Sequence, residues 1–232
     1  MTASSDRTGF GARQTRDDSL TPIRETLLDT VLPLVPFEGW TAAVLARAAG
    51  EAGVERTLVK RALPGGVVDL IDLYALRCDD TMAAHMVRLE LDTMKVRRKI
   101  TEAVRVRIDA MTAHKDAAYK ALQAMGHPGR GVLGLRLTAR TADRIWRAAG
   151  DTSTDVNYYT KRATLSAVLG STALFYFEDE TVGHEATWAF LDRRIENVMT
   201  FEKVKAQAKS AFAGLPSPLD LLTALRYPDP RR

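Results

Sequence analysis

Four histidines, His85, His114, His127 and His184, are the side chains from which a metal site in this chain would be built. Their spacing does not suit one. His184-Glu185 is not followed by a second histidine four residues on, so the helical zinc-protease pattern, which needs both imidazoles on one face, fails. No Glu-x-x-His pair of the di-iron kind occurs either. Solvent-facing histidines and no bound metal are expected. Cys78 is the only cysteine, which excludes an intrachain disulfide and a thiolate zinc cluster and fits a reducing compartment. It stands beside Arg77 and Asp79 in a helical pattern, and no nucleophile elbow of the GxSxG type accompanies it. Gly129-Arg130-Gly131-Val132-Leu133-Gly134 matches GxGxxG, but the dinucleotide role of that motif needs a buried strand in front, where His127-Pro128 stands. A flexible helix entry is the expectation. Glu178, Asp179 and Glu180 cluster where a helix ends, as a solvated turn would. No catalytic residue and no cofactor are therefore expected.

The elements that position these residues are helices. With 232 residues, 46% of them hydrophobic and 27% charged, most of the chain is able to bury a core. The 33 Lys and Arg exceed the 29 Asp and Glu by only four, which permits an anionic partner without demanding one. Residues 1–19 hold no apolar run, and Arg7, Arg13 and Arg16 are balanced by Asp6, Asp17 and Asp18, so a disordered tail is expected and not a signal or transit peptide. From there Ala, Leu, Arg, Lys and Glu dominate and strand-type alternation is missing. Residues 20–66 predict a three-helix module: Ile23 to Val35 with Thr21 as cap and Pro22 in the first turn, Thr41 to Glu51 with Thr41 as cap, a turn at Ala52-Gly53, and Val54 to Leu63. This is the sequence form of a helix-turn-helix, ended by Pro64-Gly65-Gly66. Residues 67–200 predict a larger bundle, with helices over 67–91, 95–114, 115–125, 132–149, 155–178 and 184–200. Residues 201–215 form a further segment, and 216–232, rich in Pro and Arg, a flexible tail.

Three stretches have a composition that points to binding. Ten of the sixteen aromatic residues fall between Trp146 and Phe212. Either they form an ordinary bundle core with a dimer face, or, with Leu169, the aromatics Trp146, Phe175, Phe177, Trp188 and Phe190 line an apolar ligand cavity between helices. The run Ala163 to Phe177 is too short to span a bilayer and apolar around much of its circumference, so other helices or a second subunit must surround it; a homodimer is expected. At about 100° per residue, Phe201, Val204, Ala208, Phe212 and Leu215 share one stripe bordered by Lys205 and Lys209. Such a helix lies in a membrane interface, its lysines reaching anionic headgroups, or docks on its own bundle. The stretch Arg88 to Arg107 carries seven basic residues against Glu90, Asp92 and Glu102. A solvated face is the usual explanation, with anionic lipid or nucleic acid as the alternative.

The segment Ile145-Trp146-Arg147-Ala148-Ala149-Gly150-Asp151-Thr152-Ser153-Thr154-Asp155-Val156-Asn157-Tyr158-Tyr159-Thr160-Lys161-Arg162 resembles a known signature, W-x-x-AGD-x-STD-x-N-[WY]-YT-[KR]-R. It is that of the ubiquinone (coenzyme Q) biosynthesis accessory proteins, the ninth family of the coenzyme Q series. Val35 to Thr41 (VPFEGWT) and Thr187 to Asn197 (TWAFLDRRIEN) add to the resemblance, which extends over about Ile23 to Lys209. It implies an all-α, TetR-like fold with a helix-turn-helix front and a dimeric bundle. It also implies a non-enzymatic lipid-binding protein, docked on membranes by its C-terminal helix, that presents a polyprenyl-quinone intermediate to a di-iron hydroxylase. The ligand would be an isoprenoid quinone intermediate or a phospholipid. The partner-facing patch of that family falls here on Asp155, Asn157, Tyr158 and Tyr159. Tyr158 stands where mitochondrial members mostly carry Trp. The absence of a transit-type pattern points to a bacterial member, cytoplasmic and peripheral on the inner membrane.

The alternative from another class is a TetR-type transcription regulator that binds DNA and a hydrophobic ligand. Arg56, Lys60 and Arg61 on the third helix are placed for phosphates and bases. Against it, Leu58 to Leu63 lacks the tyrosine-centred motif of TetR recognition helices, so nucleic acid is not the expected partner.

Overall fold

The structure is a computed structural model that describes residues 18–212 except 128, 153 and 155, with the side chains of 18, 156, 157, 199 and 201–212 outside the description. Of the tails expected at 1–19 and 216–232, residues 1–17 and 216–232 lie outside it, while Asp18 and Ser19 belong to a 3-10 turn. Among the described residues the fold is all-helical, as expected. Ten α-helices follow in order: α1 (Thr21–Val31), α2 (Val35–Glu38), α3 (Ala42–Glu51), α4 (Arg56–Ala62), α5 (Val67–Val87), α6 (Val96–Asp109), α7 (Lys115–Gly126), α8 (Gly131–Ala148), α9 (Val156–Glu178) and α10 (Glu185–Phe212). Contacts divide the chain into two compact units, residues 1–154 and 155–232.

Several boundaries differ from the expected ones for local reasons. Thr41 does cap α3, its hydroxyl accepting from the Val44 N–H at 3.1 Å. Thr21 does not cap: it lies inside α1, preceded by a 3-10 turn over Asp18–Leu20. The stretch Pro36 to Trp40, left between the first two expected helices as a break, begins in one turn of helix, because a proline in the first turn has no N–H to lose. Gly65 in the turn before α5 lies close under Asp69: its N–H donates to Asp69 Oδ2 at 2.7 Å, and a Cβ there would meet Asp69 Oδ1 at 2.7 Å and displace that carboxylate. The GxGxxG stretch opens α8, with Gly129 at φ +90° in the connection. Gly134 serves packing: a Cβ on it would stand 3.1 Å from Met125 Cβ, so α7 and α8 approach closely there. The two segments expected at 184–200 and 201–215 are one continuous helix as far as Phe212.

In the first unit α5 packs against α1, α6 and α8, and at the centre of that packing lies a carboxylate with no exposed surface, Asp79. Arg107 of α6 donates its Nε–H to Asp79 Oδ1 at 2.6 Å, and the Thr141 hydroxyl of α8 donates to the same oxygen at 2.9 Å. Arg140 of α8 approaches the other oxygen, Nε to Oδ2 at 3.7 Å, while its Nη1 binds Asp72 one helical stretch away on α5. Arg107 is thus one of seven basic residues in its stretch but is not on a solvated face. A buried ion is tolerated only when paired and hydrogen-bonded, so this cluster ties three helices at one level. Around the rim Arg77 joins Asp29 at 2.5 Å and Glu25, linking α5 to α1, and Arg144 reaches Asp80 at 2.5 Å. Trp40 donates its indole N–H to the Ala117 carbonyl at 2.9 Å, which holds the connection between α2 and α3 against α7.

In the second unit α9 and α10 pack on each other. The buried side chains of α9, Leu165, Val168, Leu169, Thr172 and Tyr176, recur at helical spacing, while Leu174 is 56% exposed, so the run is one-sided and not apolar all round. Asp179 is buried in the turn, not solvated as expected. It accepts four hydrogen bonds: from Thr181 N at 2.8 Å and Oγ at 2.6 Å, and from Thr187 N at 2.8 Å and Oγ at 2.5 Å. Burial pushes this carboxyl up, but the bonds from Thr181 and Thr187 outweigh it and hold the group well below the ordinary 3.8.

Two stability measurements follow. Asp79→Ala strands the largely enclosed Arg107 and should cost about 3–5 kcal/mol in urea unfolding; a loss below about 1 kcal/mol would show that the cluster behaves like a surface pair. Asp179→Ala should cost about 1–3 kcal/mol at neutral pH. Because the folded carboxyl titrates below its unfolded value, its contribution is fully present above the unfolded pKa and is lost as pH falls through the folded one. The gap between wild type and Asp179→Ala should therefore stay constant down to about pH 5 and narrow below about pH 4; a gap that does not change with acidification would contradict the role given to Asp179.

Candidate functional site

The α9–α10 hairpin gathers most of the aromatic residues singled out in the sequence. Phe175 and Phe190 stack, with ring centroids 4.7 Å apart and planes 12° from parallel. Both are half-buried. Over Phe190 lie two guanidinium groups, Arg194 at 5.1 Å and Arg193 at 6.0 Å from the ring centroid. Phe177 meets the fully buried Tyr176 edge-on at 5.6 Å, and Tyr176 in turn packs on His184 at 4.6 Å. His184 is therefore half-buried and not a solvent-facing histidine. Trp188 donates its indole N–H to the Gly183 carbonyl at 2.8 Å, which pins the turn onto the start of α10. Gly183 adopts φ +64°, and His184 after it φ +55°, a conformation few side chains take.

The structure thus sorts the six expected ligand-lining residues. Leu169 and Trp188 are buried, Phe175, Phe177 and Phe190 are half-buried in the hairpin, and Trp146 belongs to α8 in the first unit. Arg193 and Arg194 were not singled out, although their spacing of three and four residues from Phe190 places all three on one side of α10. Together they give an apolar surface bordered by cations, which suits a ligand with an apolar body and an anionic or polar end.

At the start of α9, Arg162 is buried and lays its guanidinium 3.5 Å from the centre of the Tyr158 ring, while its Nη1 donates to the Tyr158 carbonyl at 3.3 Å. Tyr159 meets Tyr158 edge-on at 5.1 Å and is 73% exposed. One tyrosine is anchored and its neighbour is presented to solvent. Asp155 and the side chain of Asn157 lie outside the described residues, as do Leu215 and the side chains of Phe201, Val204, Lys205, Ala208 and Phe212. No described helix is long and apolar enough to cross a membrane.

Arg56, Lys60 and Arg61 are exposed on α4, a helix of seven residues. Cys78 is buried with its Sγ 3.8 Å from the Ala110 carbonyl, and burial pushes its thiol up against the pull of Arg107, away from the reactive thiolate.

Residues 132–202 match the COQ9 family model. The chain is 28% identical over 211 residues to the ubiquinone biosynthesis protein COQ9, mitochondrial, of Homo sapiens, covering 88% of this chain and 66% of that protein. It is 29% identical over 195 residues to the Rattus norvegicus protein of the same name, covering 81% of this chain and 62% of that one. For the Drosophila melanogaster protein the identity is 26% over 203 residues, with 85% and 61% covered. The chain therefore spans slightly under two thirds of the length of these relatives. Among solved structures it is similar to a TetR transcriptional regulator from Nitrosomonas europaea ATCC 19718, with a TM-score of 0.62, 19% identity, and 75% of this chain and 96% of that chain covered. At that identity the likeness establishes the fold alone, and the fold is the TetR-like one expected.

The relatives are named as mitochondrial proteins, which overturns the expectation of a bacterial inner-membrane location. That expectation rested on the charge balance of residues 1–19. A targeting segment is read separately from the fold it precedes, so this balance carries no information about the compartment of the helical body. Residues 132–202, on helices α8 to α10, thus match the COQ9 family model, and over most of its length the chain is similar to the COQ9 proteins of animals.

Proposed function

We propose that this protein is a non-enzymatic accessory protein of ubiquinone biosynthesis. It binds an isoprenoid quinone intermediate or a phospholipid, and presents the quinone intermediate to a di-iron hydroxylase at a membrane. The observation that carries this reading is a coincidence in the chain. The COQ9 match over 132–202 spans the hairpin in which the half-buried Phe175–Phe190 stack stands beside Arg193 and Arg194. The names of the relatives supply the pathway, and the aromatic surface with its cationic border supplies a physical reason for lipid binding.

The task is one that needs no catalytic group. A polyprenyl tail in water exposes many CH₂ units, each costing about 0.8 kcal/mol, so the intermediate stays in the bilayer with its ring poorly placed for an enzyme. A protein that rests on the membrane through the stripe Phe201, Val204, Lys205, Ala208, Phe212 and Leu215, shelters part of the tail and docks the hydroxylase lowers that barrier. In this reading Tyr159, with Asp155, Asn157 and the anchored Tyr158, faces the hydroxylase, and the protein works as a homodimer. A DNA-binding regulator has the likeness of fold and the exposed Arg56, Lys60 and Arg61 in its favour, and no other observation.

Lipid extracted under native conditions from the purified protein should contain an isoprenoid or a phospholipid by mass spectrometry, and Phe201→Asp with Phe212→Asp should abolish pelleting with liposomes. A lipid-free protein with salt-sensitive affinity for one specific DNA duplex would reverse the assignment in favour of the regulator. In a separate test, Tyr159→Lys should abolish co-purification of the hydroxylase while leaving the melting temperature unchanged, since the side chain is 73% exposed; undiminished co-purification would move the partner surface elsewhere.

A further inference from the structure

The end of the α5–α6 hairpin has a composition and exposure that neither the fold nor the proposed function uses. The two helices are joined by residues 88–95, which fold tightly: the Arg88, Leu89, Leu91, Thr93 and Met94 N–H groups all donate to nearby carbonyls, and Leu91–Thr93 form a 3-10 turn. Beneath this connection His85 Nε2 and Glu102 Oε1 stand 3.1 Å apart across the two helices, and Met86 and Ile100 are buried. Beyond that level the chain turns outward. Val87 is 84% exposed and Val96 50% exposed, directly next to buried Met86 and near buried Ile100. Leu89, Leu91 and Met94 are half-buried. Arg88, Lys95, Arg97 and Arg98 are exposed and Lys99 half-buried, against the exposed Glu90 and Asp92. Between Val87 and Lys99 the chain thus carries a net charge of +3, in a protein whose total is +4.

From this juxtaposition of ordered, exposed aliphatic side chains with a local cationic excess, we infer that the α5–α6 tip is a membrane-contacting surface selective for anionic lipid. Two properties single out a bilayer. Exposed valines gain by entering the boundary between headgroups and acyl chains, with half-buried Leu and Met behind them, whereas a nucleic-acid backbone offers such groups nothing. Long exposed basic side chains in the same stretch, Arg88, Lys95 and Arg98 among them, reach anionic headgroups while their stems stay in the apolar boundary. The tip belongs to the first unit and shares no residue with the C-terminal stripe of the proposed function, so the inference does not depend on that stripe.

The test is sedimentation of the full chain with vesicles of phosphatidylcholine alone and of phosphatidylcholine with phosphatidylglycerol. Arg88→Gln with Arg98→Gln should weaken binding to the anionic vesicles about 20- to 30-fold, with little change on phosphatidylcholine alone. Val87→Asp with Val96→Asp should weaken binding to both, and circular dichroism should show unchanged helix content in all variants because the altered side chains are exposed. The pair Phe201→Asp with Phe212→Asp reports on the C-terminal stripe by itself, and in that background the Arg88 and Arg98 substitutions should still weaken binding to the anionic vesicles. Anionic-vesicle binding unchanged by the Arg88 and Arg98 substitutions would overturn the inference. So would a DNA duplex that competes with the vesicles and loses affinity in the same variants, which would make the tip a nucleic-acid surface.

Discussion

A single carboxylate, Asp79, dictates how the first unit is put together. An ionised group with no exposed surface costs several kcal/mol unless partners replace the water it has lost. In this chain the partners come from two other helices: Arg107 from α6, Thr141 and the more distant Arg140 from α8. An apolar contact allows a helix to slide by a fraction of a turn at small cost. A bond of 2.6 Å between charged groups does not, so α5, α6 and α8 have one axial register relative to one another. Arg140 strengthens this by spanning from Asp79 to Asp72 along α5. What depends on that register is the direction of the α5–α6 hairpin and the placing of α7 and α8, where Gly134 lets the backbone come close to Met125.

The second unit solves a smaller problem with the same kind of group. A turn of six residues must reverse the chain between two long helices, and the first N–H groups of α10 have no partners within the helix. Asp179 takes the N–H of Thr187 and both hydroxyls, and Thr181 Oγ accepts from Ala186 N at 3.1 Å. Trp188 then closes the loop on Gly183. The reversal fixes which face of α10 meets α9, and so brings Phe190 onto Phe175, with Arg193 and Arg194 alongside. The aromatic surface is thus a consequence of a hydrogen-bonded turn at one end of the hairpin.

Much of the architecture was legible in the residues. The helices, the Thr41 cap, the glycine and proline breaks and the helical opening of the GxGxxG stretch follow from local rules that act within a few residues. The two buried carboxylates were not, because composition counts a charge without saying what surrounds it. A signal was nevertheless present for the first. On α6 the buried residues Ile100, Ala103, Val104 and Ile108 leave Arg107 at the position where the next core residue is due. On α8 the same holds for Thr141 between Leu137 and Ile145. A cation, a hydroxyl and an aspartate falling on core positions of three helices form a complementary set. For Asp179 only the threonines two and eight residues on hinted at a clamp, and the reach across the turn appears only in three dimensions. Of the site, the aromatic residues were visible from their crowding, while the arginines over Phe190 and the burial of Arg162 under Tyr158 needed the fold.

The ion pairs also change what the small net charge means. Arg47, Arg77, Arg107, Arg140, Arg144 and Arg147 share Glu25, Asp29, Glu38, Glu51, Asp72, Asp79, Asp80 and Asp143, six cations with eight carboxylates. These groups together are negative, so the positive excess of the chain must reside in its other residues. Pairs at the surface add little to stability, but they do fix which charges cancel locally and which contribute to a field at a distance. With Arg107 taken into the core, the basic stretch of the sequence is no longer a uniform face along α6. Of the six others, Lys95, Arg97, Arg98 and Lys99 crowd in and around the first turn of that helix, while Arg88 precedes it and Arg105 stands further along. An overall charge close to neutral therefore coexists with one strongly cationic end of a hairpin, and it is the buried aspartate, by drawing Arg107 inward, that helps to make the distribution so uneven.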